Sequence, residues 1–492
     1  MVRPAPWKND PACGHEVACE FQTHYCTYIR VPRLLTLQSG AGSPDEVLFV
    51  LGLQAAELWL KVLLTDLKRV LDRTQPERHG AFEPLKLLHR SSEILTLLDR
   101  QFEALESSLA GVTVSLGPPA SVQLDQLGEL GGELYRRQDF RSLGEFESLQ
   151  PAHTPGQARD HETRKFQEAA RTVVVRARAM GLRFDAFCAG MEFGNGLDYA
   201  AALSLDQVLD LQDGPKAGWT RVGEAPAAIA SSEPVSRDEL MFIVTHQAFE
   251  LWFKAILQAL DLTVAGLLSD PPDVENAIRR LRRVVAIQRL LVRQIQIPAT
   301  MLPLDFLRFR NEIRHEDGRD YYRGLSPSSG SESFQFREIE ILAGLRDDPS
   351  FRAFLKGNEA LHIRFLTPSE ERRLNEPTLG EAYERLVKQR GLDDLVEVFK
   401  AADEENPHRD LAELGDLLLE FDQFFKLWRV SHVSMVERMI GNRSGTGFLG
   451  PEYLRETAGL GRQDSGRLLP EDQTRPRFFA RLFEARSRLT AY

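Results

Sequence analysis

The stretch that most constrains this chain runs from Asp238 to Lys254 and reads Asp-Glu-Leu-Met-Phe-Ile-Val-Thr-His-Gln-Ala-Phe-Glu-Leu-Trp-Phe-Lys. It is long, strongly apolar and free of Gly and Pro, so it predicts a mostly buried helix. Two polar groups, His246 and Glu250, stand one turn apart within it, with Phe242 and Phe253 on neighbouring turns. A buried imidazole without a partner costs a few kcal/mol, so His246 is either satisfied inside the core or turned toward a site. The stretch alone leaves both readings open.

A near copy occurs earlier, from Asp45 to Lys61: Asp-Glu-Val-Leu-Phe-Val-Leu-Gly-Leu-Gln-Ala-Ala-Glu-Leu-Trp-Leu-Lys. Aligned on Glu-Leu-Trp, Phe49 stands opposite Phe242, Glu57 opposite Glu250 and Trp59 opposite Trp252, whereas His246 faces Leu53. The expectation is an internally duplicated chain that keeps a common framework in both copies and the imidazole in one. Packing gives no reason for that asymmetry, which favours a functional His246.

The chain is long enough for several domains and a large core: 492 residues suggest about two to four units. With 72 acidic against 61 basic residues its net charge is −11, which argues against nucleic acid or an anionic membrane as main partner. No apolar run approaches the ~20 residues of a bilayer span, and the N-terminus lacks a signal-peptide core. Four cysteines in so long a chain make a disulfide framework unexpected, so a reducing cytoplasm is the expected compartment.

Taken in order, the chain begins with an irregular arm in which Cys13, His15, Cys19, His24 and Cys26 lie close together. Their spacing is not a paired metal-binding pattern, so an extended arm is the plainer reading and a metal site the sharper one. Tyr25, Tyr28 and Ile29 follow. Helical periodicity is predicted over 45–73, 82–110 and 161–182, with Gly117-Pro118-Pro119 as a break. A Gly-, Ala-, Ser- and Pro-rich region at 189–237 reads as a linker, and Ser-Ser-Glu-Pro at 231–234 as helix-start chemistry. Further helices are predicted at 238–269, 273–297, 332–345 and 409–441. The last carries Phe425, Trp428, His432, Met435 and Met439 on one stripe and ends at Gly441-Asn442. Again one histidine interrupts an apolar face. No convincing strand pattern emerges. Gly445, Gly447 and Gly450 match a dinucleotide-binding spacing, but they follow a helix rather than a strand, so that reading fails its context.

Two histidines on separate apolar helices, without a carboxylate cluster or cysteine nearby, fit a metal held in a flat organic ligand better than a bare-metal cage. The runs Phe242-Ile-Val-Thr-His246-Gln-Ala-Phe-Glu-Leu-Trp252, Phe306-x-x-Phe-Arg310, Ser326-Pro-Ser-Ser-Gly330, Leu427-Trp-Arg-x-x-His432 and Gly445-Thr446-Gly447, in this order, resemble the tryptophan 2,3-dioxygenase family. The resemblance covers about 230–490, with the arm at 24–61 matching separately. It implies an all-α, haem b-binding helical bundle that inserts both atoms of O2 into the indole ring of tryptophan to give an N-formylkynurenine.

Position by position, the resemblance implies that His432 is the proximal ligand of the haem iron and that Ser329 and Gly330 contact the haem. His246 would be the distal histidine, accepting the indole N–H. Arg310 would grip the amino-acid carboxylate, Thr446 would contact the ammonium and carboxylate, and Phe242 and Phe306 would line the indole pocket. A buried Arg310 needs an anion in any case, which an internal salt bridge would also supply. Members of the family are homotetramers in which an arm of one subunit completes its neighbour's pocket with two tyrosines and an aliphatic residue. Tyr25, Tyr28 and Ile29 resemble that arm, while nothing similar is recognised before the second repeat.

The resulting expectation is a degenerate repeat with a pocket arm at 1–188, a linker at 189–230 and a catalytic haem domain at 231–492. The two repeats would form an intrachain pseudo-dimer with one haem, able to associate further as a homodimer of pseudo-dimers. The segment between Arg310 and Ser329 is longer than the family pattern, Phe448-Leu-Gly450 replaces its Gly-Ser-Ser-Gly, and Ser331-Glu332 replaces its Phe-Gln. These departures leave the anchors in place and reshape the walls. They keep two alternatives open: a haem monooxygenase or peroxygenase acting on an aromatic amino acid in natural-product biosynthesis, and a non-catalytic haem- or indole-binding scaffold.

Overall fold

The computed structural model describes residues 25–38, 41–71, 82–114, 117, 119–138, 156–194, 198–212, 238–310, 313–314, 320–321, 333–347, 351, 368–400, 407–441, 454–455, 458 and 477–489. In chain order the helices are α1 (Tyr25–Ile29), α2 (Val31–Leu34), α3 (Pro44–Leu71), α4 (Phe82–Leu109), α5 (Val122–Gln138), α6 (Gly156–Ala189), α7 (Tyr199–Ala202) and α8 (Leu205–Val208). They continue with α9 (Glu239–Leu267), α10 (Val274–Gln294), α11 (Pro303–Arg310), α12 (Phe334–Ala343), α13 (Pro368–Arg373), α14 (Leu379–Gln389), α15 (Leu395–Lys400), α16 (Arg409–Ile440) and α17 (Ala480–Ser487). The fold is all-α. Among the described residues, extended structure is limited to two short pairings, Thr113–Val114 parallel to Glu192–Phe193 and Ile313–Arg314 antiparallel to Asp320–Tyr321.

Local chemistry sets the helix ends. Pro44 opens α3, where its missing N–H costs nothing, and the Ser43 hydroxyl accepts from the Glu46 amide at 3.2 Å. The Glu46 carboxylate reaches back to the Gly42 amide at 2.6 Å, so two otherwise orphaned donors are satisfied. Thr378 and Glu381 form a reciprocal capping box on α14. Gly344 after α12 and Gly441 after α16 have positive φ (130° and 60°), and each stops its helix where a side chain would be strained.

The centre is formed by the two near-copies. α3 and α9 pack on each other; α4 lies on α3, α10 lies on α9, and α4 touches α10. α5 and α6 flank the α3 side, with α6 along α4, while α12 and α16 flank the α9 side, with α16 along α10. α3 and α9 are both apolar and long enough to cross a bilayer by composition, more than the sequence reading allowed. Yet 89% and 83% of their most apolar windows are buried inside the protein, so they are its core helices. Trp59 and Trp252 are fully buried at matched positions. At Gly52 the helices are so close that an added Cβ would meet Leu105 Cδ2 at 2.6 Å. Residues 198–212, inside the stretch expected to be a linker, form α7 and α8 and bury Tyr199, Leu203 and Val208.

Candidate functional site

α9 presents Phe242 and His246 on successive turns. The His246 ring lies tilted by 44° against Phe242 at 4.3 Å between centroids, and the Phe242 ring lies 5.9 Å from that of Phe306 on α11. His246 Nδ1 is 2.8 Å from the carbonyl oxygen of Phe242, which can only accept. Nδ1 therefore carries the proton, and Nε2 keeps its lone pair. Burial pushes the imidazole down to about 4, against the smaller opposing pull of that carbonyl, so the ring is neutral at ordinary pH.

The N-terminal arm lies along this helix. Tyr25 packs edge-on to His246 at 5.7 Å and donates its hydroxyl to Glu250 Oε1 at 2.9 Å. Tyr28 donates to Glu239 Oε1 at 2.7 Å, and the Ile29 carbonyl accepts from Gln247 Nε2 at 2.9 Å. Lys254 donates to the Leu35 carbonyl at 2.6 Å and to Gln38 Oε1 at 2.7 Å. Gln335 on α12 grips Glu250 from the other side, donating to its carbonyl and its carboxylate at 2.8 and 2.7 Å. Tyr25, Tyr28 and Ile29 are almost wholly buried, so the arm is part of the core. Glu250, singled out in the sequence, helps to hold it, and the residues missed there are Glu239, Gln247, Lys254 and Gln335. Their signal was available in part, since Gln, Glu and Lys recur at matched positions in both copies.

His432 stands on α16 beyond an aromatic layer. Its ring is parallel to Trp428 at 5.7 Å, and Trp428 packs edge-on against Phe249 and Phe253. Phe336 fills the remaining side of Trp428 at 5.1 Å. Burial, with a further contribution from nearby His246, lowers the His432 imidazole to about 4. No described residue hydrogen-bonds either of its ring nitrogens, and the indole N–H of Trp428 is likewise buried without a partner among the described residues. A neutral imidazole whose ring nitrogens meet no partner among the described residues, set in an aromatic wall, would suit a single bond to the iron of a haem. No group of three or more His, Cys, Asp or Glu able to cage a bare metal occurs among the described residues. The donor set fits a haem.

Arg310 closes α11, and nothing of its side chain is described; Ser329, Gly330 and Thr446 lie outside the described residues. Cys13, His15, Cys19, His24 and the Ser-Ser-Glu-Pro run at 231–234 lie outside them too, while Cys26 falls within α1.

The first copy carries matching bonds around a different centre. Tyr199 donates to Glu57 Oε1 at 2.8 Å, as Tyr25 does to Glu250. Gln123 donates to the Glu57 carbonyl at 2.9 Å, as Gln335 does to that of Glu250. Gln54 donates to the Leu203 carbonyl at 2.9 Å, as Gln247 does to Ile29. Lys61 donates to Gln212 Oε1 at 2.7 Å, as Lys254 does to Gln38. An arm thus does precede the second copy, and Tyr199 heads it. Leu53, where His246 stands in the second copy, is fully buried, and Phe49, Phe102, Phe184 and Phe187 pack together nearby.

Residues 193–394 match the family described as tryptophan 2,3-dioxygenase. A tryptophan 2,3-dioxygenase of a Nocardioides species is 34% identical over 284 residues, which are 92% of that protein and 55% of this chain. Those of Herpetosiphon aurantiacus and Pseudomonas fluorescens are 32% and 30% identical, covering 93% and 89% of the relative and 53% and 55% of this chain. With this identity and coverage, the chain belongs to the tryptophan 2,3-dioxygenase family.

Proposed function

We propose that this protein is a haem-dependent dioxygenase that opens the indole ring of L-tryptophan, or of a substituted tryptophan, to an N-formylkynurenine. The observation that carries the reading is the pair of neutral, half-buried imidazoles, one with Nε2 left to accept an N–H and the other with no hydrogen bond among the described residues. The relatives' names supply the substrate class.

His432 would hold haem b through its free nitrogen, with Ser329 and Gly330 beside it. The haem, when bound, supplies the O2-binding and redox chemistry that no side chain can. The chain's own part is to bind, orient and exclude water. Phe242 and Phe306 form two walls for the indole ring. His246 Nε2 accepts the indole N–H and so fixes which ring edge faces the oxygen. The tautomer is set beforehand by the Phe242 carbonyl, so no rearrangement is needed when substrate arrives. Arg310 pairs with the substrate carboxylate, Thr446 meets its ammonium and carboxylate, and Tyr25, Tyr28 and Ile29 close the pocket from the arm.

The chain is further read as an internal duplication: a degenerate first unit at 1–188, a connecting stretch at 189–230 and a haem-binding unit at 231–492. Support comes from the matched hydrogen bonds of Tyr25/Tyr199, Gln54/Gln247, Glu57/Glu250 and Lys61/Lys254. Leu53 cannot accept a hydrogen bond, so the first copy has lost the chemistry and kept the fold. The chain then supplies in cis the arm that a neighbouring subunit would otherwise lend, as a pseudo-dimer with one haem that can pair again with itself. Four cysteines suit a reducing cytoplasm as its setting.

Aerobic turnover of haem-loaded, reduced protein with L-tryptophan and substituted tryptophans under isotopically labelled O2 tests the reading. Ring-opened product carrying two labelled oxygens is expected. A product with one labelled oxygen would instead make the chain a monooxygenase.

A further inference from the structure

A buried ionic cluster joins the first copy to the pocket of the second. Arg90 on α4 makes a two-point pair with Asp66, both bonds at 2.6 Å, and donates to Asp238 Oδ1 at 2.8 Å. Lys86, one turn earlier on α4, donates to Asp238 Oδ2 at 2.6 Å and to Asp305 Oδ2 at 3.1 Å. The Lys86 side chain is 5% exposed, Asp238 0% and Asp305 15%. Asp238 immediately precedes α9, and its carbonyl accepts from the Phe242 amide at 3.0 Å. Asp305 immediately precedes Phe306 on α11 and lies five residues before Arg310.

α11 is a poor candidate to hold itself in place. It is eight residues long, too short to be stable alone, and it starts at the surface, with Leu304 70% exposed. A helix with little apolar burial takes its position from polar tethers, and Lys86 is one that ties it to the head of α9.

The duplication separates what is merely interface from what serves the pocket. Arg90–Asp238 has a counterpart in the other copy, where Arg283 pairs with Asp45. The position matching Lys86 is Arg279, which is exposed and makes no ion pair among the described residues. The Arg–Asp pair therefore occurs on both sides, whereas the bridge to a second carboxylate occurs on the side that carries His246.

We infer that Lys86, contributed by the half without a pocket, is a positioning residue for substrate binding. By clamping Asp305 of α11 to Asp238 at the start of α9, it sets the gap between Phe306 and Phe242. This rests on the tryptophan-pocket reading above.

The test is the affinity of the haem-loaded full chain for L-tryptophan by calorimetry, with KM and kcat alongside, in Lys86→Met, Lys86→Arg, Asp305→Asn and the Lys86→Met/Asp305→Asn pair. Lys86→Met and Asp305→Asn are each expected to weaken binding roughly 3- to 30-fold. The double variant is expected to bind no more weakly than Lys86→Met, because the Lys86–Asp305 link is already broken there, and Lys86→Arg to restore most of the affinity. KM should rise while kcat at saturation and the haem absorbance stay near those of the parent. Asp305→Asn leaves the Asp238 pairs intact and so guards against a misfolded Lys86→Met. Parent-like affinity in Asp305→Asn, or losses that add in the double variant, would overturn the inference. A parent protein that fails to bind L-tryptophan at all would instead overturn the pocket reading, and the inference with it.

Discussion

At the scale of single residues, the account turns on which buried polar groups have partners. His246 has one for Nδ1 and none for Nε2 among the described residues, and the twin position is a well-buried leucine. His246→Leu should therefore lower kcat/KM for tryptophan by roughly 10²-fold while shifting the melting midpoint little. Steady-state kinetics beside a melting curve checks both. Asp238 makes a second prediction. Burial alone would push its carboxyl up, but Arg90 and Lys86 more than offset this and hold it at about 2. The charged form is thus favoured in the folded state. The resulting stability, about 2 kcal/mol, is present above pH 4 and is lost as pH falls from about 4 toward 2. Asp238→Asn should flatten the acid limb of a stability-against-pH curve over that window.

At the scale of elements, the core helices and α12 were legible, whereas the 17-residue α5 and the four-residue helices were not. The apolar runs of α3, α9 and α16 fixed their type and, within a few residues, their ends, because a 28- to 32-residue amphipathic pattern leaves little choice. The opposition of Glu57 to Glu250 was also legible, since an acid within an otherwise apolar helix needs a donor. What supplied that donor was not. α7 and α8 have four residues each, too few to show a period, and Gly- and Ala-rich sequence around them reads as linker. Only the fold brings Tyr199 to Glu57. Asp238 precedes α9 without capping it, because its carboxylate is taken by Lys86 and Arg90, residues that only the fold brings to it. Tyr25→Phe should cost about 1 kcal/mol by removing one of the bonds to Glu250 and speed protease cleavage within the arm. Trp252→Ala, which empties a fully buried site on α9, should cost about 3–5 kcal/mol in denaturant unfolding.

At the scale of the whole molecule, the proposed account is a duplicated chain with one working site. Each long core helix is clasped by an arm through the same set of bonds, and one clasp surrounds an imidazole while the other surrounds a leucine. Keeping the inactive copy has a physical rationale, because it supplies the arm, the α3 wall behind α9 and the Lys86 tether. The measurement that tests this most directly is the number of haems held per chain, read from the native mass of the reconstituted protein. The account predicts one haem, and none in His432→Ala. Two haems per chain would contradict the loss of the first site, and a parent chain that takes up none would contradict the haem reading altogether.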